Sequence, residues 1–265
     1  MGLTIDPGVS IGPGVDLIIP IMPVAPNGLT AEQASTSAWQ IKQDYPASTD
    51  GVYWIQNANI NGGDPVEIYA DMTTDGGGWT LILQNVLGNW NYDNCLLRNQ
   101  ATPPTALGSA NYSIIGWADY IKRSASGFEY MLEAGARNTN GGIFTANEAY
   151  SFIDQVDLVA LAAQGVGIYF GGPSQELYTG SQGFRQNVTL TTKFGNWNFI
   201  NDGLERRMPW FTTNSPGISG DAILTTSNAD SGSWWGTLMT YNADWSPAPW
   251  NEVSNNPGVI WYWVR

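Results

Sequence analysis

The 265-residue chain has no histidine and a single cysteine, Cys95. Without imidazole there is no Ser-His-Asp triad, no Cys-His nucleophile and no Cys/His zinc site. One thiol closes no bridge within the chain, which fits synthesis and folding in a reducing cytoplasm. Charge is also scarce, with 12% of residues charged where about 25% is usual. Ten Lys and Arg face 23 Asp and Glu, for a net charge of −13. The only adjacent cations are Lys122-Arg123 and Arg206-Arg207. Nucleic-acid binding is therefore not expected, because phosphate neutralisation needs clustered Lys and Arg. No apolar run reaches the length of a membrane span. The N-terminus lacks a basic segment, and its apolar stretch from Leu17 to Val24 is broken by Pro20 and Pro23, so neither membrane insertion nor a cleaved signal peptide is expected.

Aromatic side chains are plentiful instead: 13 Trp, 12 Tyr and 8 Phe. Many adjoin Asn, Asp or Gly, as in Asn89-Trp90-Asn91-Tyr92-Asp93-Asn94, Asn196-Trp197-Asn198-Phe199 and Asp244-Trp245. Flat apolar rings beside amides and carboxylates suit sugars, whose C–H faces stack while their hydroxyls take directed hydrogen bonds. Any single Trp is more often part of a core than of a site, so the loop clusters carry the functional signal.

Residues 1–29 stand apart in composition. They hold a six-residue repeat, Ile5-Asp6-Pro7-Gly8-Val9-Ser10 followed by Ile11-Gly12-Pro13-Gly14-Val15-Asp16, and then the proline-punctuated run Leu17-Ile18-Ile19-Pro20-Ile21-Met22-Pro23. Proline removes backbone donors and fixes φ, which excludes a helix or a central strand. The segment reads as an extended anchoring arm that packs on neighbouring subunits, most simply in a homotrimer; the alternative is an arm folded back on its own domain. Residues 30–265 read as one globular domain.

Within that domain Thr30-Ala31-Glu32-Gln33 has the spacing of a helix start, and Ala34, Ala38, Trp39 and Ile41 recur at helical intervals up to Pro46. Further helices are expected over 113–123 and 148–163. Strands are expected over 51–56, 65–72, 79–84, 128–134, 166–170, 188–194 and 223–226. The closing run Val259-Ile260-Trp261-Tyr262-Trp263-Val264 is too apolar for an edge and reads as a buried central strand. Long Gly- and Asn-rich loops fill the rest.

Residues 35–84 resemble the opening of a fibrinogen-related domain, the lectin-like module of fibrinogen globes, ficolins and, more loosely, intelectins. The resemblance rests on Ser37-Ala38-Trp39-Gln40-Ile41-Lys42, on Asp50-Gly51-Val52-Tyr53-Trp54-Ile55, and on Val66-Glu67-Ile68-Tyr69-Ala70-Asp71-Met72-Thr73-Thr74-Asp75-Gly76-Gly77-Gly78-Trp79-Thr80. Beyond that stretch Trp234-Trp235 and the aromatic closing strand agree. The resemblance implies an α+β fold with short antiparallel sheets, few helices and long loops. It also implies a disulfide between the positions of Ala38 and Ala70, and a second around Trp234-Trp235. Both positions of the first are alanine here and no cysteine lies near the second, so the implied fold is a disulfide-free variant in which Ala38 and Ala70 pack together.

The same resemblance places a calcium site just ahead of the Trp-Trp pair, where Asn228 and Asp230 have alternate spacing that lets two side-chain oxygens converge on a hard cation; the competing reading is an Asx-rich turn. Downstream, Tyr241, Asp244, Trp245, Trp250 and Asn251 form the best candidate glycan surface, stiffened by Pro247 and Pro249; the competing reading is a loop anchored on the closing strand. No carboxylate pair has spacing diagnostic of a glycosidase, although Asp93 and Asp202 could meet in space, and the family implies no enzyme. A lectin-like domain without disulfides, joined to a Pro/Gly arm, points to a bacteriophage virion protein: a tail fibre or spike that attaches to host-surface glycan. The alternatives are a structural capsid decoration or cement protein, and a bacterial adhesin.

Overall fold

The structure is a computed structural model, and it describes residues 24–86, 95–153, 155–157, 188–195, 211–213 and 259–265. Its centre is a mostly antiparallel sheet with few short helices and much loop, which is the α+β architecture expected. In chain order, helix α1 (Ala38–Asp44) precedes β1 (Gly51–Ile55), β2 (Val66–Asp71), β3 (Trp79–Asn85) and β4 (Tyr112–Ser113). A short helix α2 (Ala118–Ile121) leads into β5 (Glu129–Ala134), β6 (Asn140–Ala146), β7 (Gln155–Asp157), β8 (Val188–Gly195), β9 (Phe211–Thr213) and β10 (Ile260–Val264). The main sheet runs β1-β2-β3-β10-β5-β6-β8, with β4 paired to the upper half of β3. A separate parallel pair joins β7 to β9.

Burial explains this order. All five residues of β10 and all seven of β3 are buried, as strands covered on both faces must be. β2 shows partial alternation, and β1, at the margin, is only half buried. β10 joins the two halves of the sheet: Tyr262 lies opposite Leu83 of β3 and Leu132 of β5, with a bulge between Tyr262 and Trp263 on the β3 side. The central position expected for the closing run is therefore observed. One face of the core collects Tyr130, which stacks on Phe144 at 4.8 Å, and the Phe128, Tyr150 and Phe152 rings.

Three local expectations are corrected. Of the helix expected from Thr30, only a 3-10 turn forms there, Ala31–Gln33 with no side-chain cap from Thr30; the α-helix begins at Ala38 and is capped by Ser37, whose Oγ accepts from the Gln40 N–H at 3.1 Å. Residues 28–35 are instead held by β1: the Trp54 N–H donates to the Gly28 carbonyl at 2.7 Å, and Ser35 donates to the Trp54 carbonyl at 3.1 Å. The helix expected over 113–123 is reduced to a 3-10 turn, Ile115–Trp117, and α2. The helix expected over 148–163 is absent from the part described, because Asp119 takes hydrogen bonds from Ser151 Oγ and the Phe152 N–H, and residues 155–157 are strand. β4, β6, β7 and β9 were not among the expected strands. Those expected over 166–170 and 223–226 lie outside the described residues.

Ala25 and Gly28, near the end of the expected arm, touch the domain. The Tyr45 hydroxyl donates to the Ala25 carbonyl, and Gly28 is buried against Ile41 and Tyr53 with φ +73°, where a side chain has neither space nor easy geometry. Ala38 and Ala70, the positions where the resemblance implied a bridge, are both fully buried in one core. Cys95 is a buried free thiol.

Candidate functional site

Polar groups embedded in the sheet form two clusters, each organised by an arginine. In the first, Arg137 from the β5–β6 turn lies between two carboxylates whose side chains are wholly buried. Its Nε donates to Glu133 Oε2 at 2.6 Å, and its Nη2 to Asp71 Oδ2 and, at 3.3 Å, to Thr74 Oγ1. The guanidinium also lies 4.5 Å from the centre of the Trp263 ring, a favourable cation–π placement. Glu133 Oε1 accepts from the Asn138 N–H at 2.7 Å, and Asp71 Oδ1 accepts from the Thr73 and Thr74 N–H groups at 2.8 Å. Every carboxylate oxygen thus has a protein donor. The cluster ties the turn after β2 to the turn after β5 across the closing strand.

The second cluster surrounds Arg265. Its Nη1 donates to the carbonyls of Asp75 at 2.6 Å and Gly77 at 3.0 Å, its Nη2 to Asp75 Oδ2 at 2.8 Å and its Nε to Glu129 Oε2 at 2.8 Å. The guanidinium stacks 4.0 Å from the Trp79 ring centre and 5.6 Å from that of Trp39, and Arg123 approaches Trp39 at 5.0 Å and pairs with Glu129. These contacts account for the middle glycine of the triplet. At Gly77, with φ +75°, a Cβ would collide with the Met72 carbonyl, so only glycine lets the backbone present its carbonyls to Arg265.

Two opposing influences set the acidities in the first cluster. Burial is the largest influence on Glu133 and holds its carboxyl above the usual range despite Arg137 and the Asn138 N–H. For Asp71 burial is again the largest single influence and acts upward, but the Thr74 hydroxyl and N–H, Arg137 and the Thr73 N–H together hold it below its usual range. A raised Glu133 means that the folded chain binds that proton more tightly than the unfolded one. Its share of stability therefore increases as pH falls from neutral towards about 4.3, the ordinary glutamate value, while Asp71's share is present above about 3.9 and is lost below it. The urea midpoint at pH 5 minus that at pH 7 is expected to be more positive for the natural protein than for Glu133→Gln, and equal differences would refute this assignment.

The sequence-derived ligand residues Tyr241, Asp244, Trp245, Trp250 and Asn251, the metal candidates Asn228 and Asp230, and the carboxylates Asp93 and Asp202 all lie outside the described residues. The described residues on either side of the long segment bearing most of them share one foundation. Gly195, the last residue of β8, lies opposite Asn140, and the Val259 carbonyl accepts from the Gly135 N–H at 2.9 Å, so both are held by the β5–β6 hairpin. Among the described residues no group of three or more Cys, Asp or Glu could hold a metal ion, and no helix is long and apolar enough to cross a membrane.

The arginine clusters were not singled out in the sequence, although a signal existed. In a chain with ten basic residues, Lys122, Arg123, Arg137 and Arg265 each pair with a carboxylate in the fold; when cations are this scarce, those present are structural candidates.

No family model matches the chain, and no curated protein sequence matches it. Among solved structures it is similar to the fibrinogen-like globe domain of human ANGPTL2, with 13% identity over 87% of this chain and 98% of that one and a TM-score of 0.41. The likeness is loose, and the α+β architecture stands on the strand order itself.

Proposed function

We propose that the globular domain is a non-catalytic, fibrinogen-related lectin of a bacteriophage tail fibre or spike, which recognises neutral sugar on the host surface and meets other virion subunits through the part of the 1–29 arm that precedes Ala25. The observation that carries this reading is the concentration of indoles and Asx side chains in one proline-stiffened segment, Asn242-Ala243-Asp244-Trp245 through Trp250-Asn251. Stacking faces and hydrogen-bonding groups lie close together there, and the prolines lower the entropy lost on binding. No Lys or Arg occurs between Gly232 and Val264, which favours a neutral ligand over a sulfated or sialylated one. The non-catalytic reading agrees with the first cluster, where Asp71 and Glu133 are committed to structural donors.

A glycan array separates this reading from a decoration or cement role. Binding to neutral glycans is expected, with Trp245→Ala weakening it by about tenfold or more, as loss of an aromatic anchor does. Unaltered binding by a folded Trp245→Ala protein would misplace the pocket, and absence of binding to any glycan would favour the purely structural role. Calcium at Asn228 and Asp230 belongs to the same proposal; chelation is then expected to lower the affinity.

A further inference from the structure

Three Asn-Gly pairs occur in the chain, at Asn27-Gly28, Asn61-Gly62 and Asn140-Gly141, and the fold treats them differently. Asparagine before glycine is prone to deamidation because the glycine N–H, unshielded by a side chain, can attack the asparagine carboxamide. At the first pair the Gly28 N–H is buried and already donates to the Gln33 carbonyl at 2.7 Å, and Asn27 Oδ1 accepts from the Leu29 N–H at 2.9 Å. At the third, Gly141 is buried in the sheet, opposite both Glu133 of β5 and Phe194 of β8. At the second, Asn61 and Gly62 are both exposed in the turn between β1 and β2, and the Gly62 N–H meets no acceptor among the described residues. Asn61 is held at φ +47° and Gly62 at φ +67°, and the carboxamide is tethered only by long hydrogen bonds from Nδ2 to the Asp64 and Pro65 carbonyls, 3.3 and 3.2 Å.

We propose that Asn61 is the site of spontaneous covalent modification in the native protein, with deamidation directed there by the fold. Solvent base takes the Gly62 N–H proton, the Gly62 nitrogen bonds to Asn61 Cγ, and the Cγ–Nδ2 bond breaks with loss of ammonia. Water then opens the cyclic imide at either carbonyl to leave aspartate or isoaspartate. No oxidant or reductant is needed, and water is the only co-reactant. The product carries one more negative charge and has lost both Nδ2 donors of the turn, so the loop from Ile55 to Val66 relaxes while the sheet, which does not use those bonds, stays paired.

The test is peptide mass mapping of the full chain after incubation at mildly alkaline pH, in buffer and in denaturing urea. In buffer, deamidation is expected at Asn61 at least about tenfold faster than at Asn27 or Asn140, because their glycine amides must be freed by local opening before they react; in urea the three rates should converge. Equal rates in buffer, or a faster reaction at Asn27 or Asn140, would overturn the proposal. Asn61→Gln should remove the fastest-forming acidic species. Gly62→Ala has open space for its methyl group but strains the backbone at φ +67°, and it should slow the reaction; a folded Gly62→Ala protein that reacts at the natural rate would exclude attack by the Gly62 nitrogen. If that variant does not fold, the Asn61→Gln comparison decides.

Discussion

Removal of residues 260–265 is expected to leave a chain with no cooperative unfolding transition. Among the described residues β10 is the only link in the ladder between β3 and β5, so its loss opens the sheet along its middle and strands two sets of unpaired backbone groups. Ile260, Trp261, Tyr262, Trp263 and Val264 are all buried. At roughly 1.5–3 kcal/mol for each large apolar side chain, their burial is comparable with the whole stability of a domain, about 5–15 kcal/mol. The same deletion takes away the Arg265 guanidinium that holds the glycine turn through the Asp75 and Gly77 carbonyls. Circular dichroism and urea titration would check this; a truncated protein with a native-like transition would mean that β3 and β5 can pair without β10.

Arg137→Met should lower stability by about 3–5 kcal/mol, the usual cost of removing one partner from a buried ion pair. The substitution keeps much of the apolar stem but leaves Asp71 and Glu133 without a countercharge at sites closed to water, and it removes the cation over Trp263. Adding Asp71→Asn and Glu133→Gln to Arg137→Met should recover part of the loss, because the uncompensated charges disappear with their partner. Chemical denaturation of the single and triple variants measures both effects. A loss below about 1 kcal/mol for the single variant would place the cluster among exposed ion pairs in its energetics.

Local sequence was sufficient where a residue's environment follows from its neighbours in the chain. The apolar run at 259–264 could not be an edge, and the strands around Val52, Ile68 and Leu81 were delimited by turn residues such as Gly76-Gly77-Gly78, which the observed elements respect. It failed where distant groups outcompeted local ones. Thr30 and Ser37 both have cap chemistry, but Gly28 and Ser35 are drawn into hydrogen bonds with Trp54 and Gln56, so Thr30 starts only the 3-10 turn Ala31–Gln33 and the α-helix begins after Ser37. The chain near Ser151 bonds to Asp119 instead of continuing as helix, and Gly141 and Gly142 become strand residues because β5 and β8 close on either side.

Composition sets the chemistry open to the chain: no imidazole, no disulfide within the chain, few cations, and clusters of indole and Asx side chains. Tertiary structure alone decided which charged groups meet. Arg137 reaches Asp71 across 66 positions, and Arg265 reaches Asp75 across 190, separations at which no local period or spacing carries information. It also decided which of three chemically identical Asn-Gly pairs is exposed, because the fold buries Gly28 and Gly141 and leaves Gly62 in solvent.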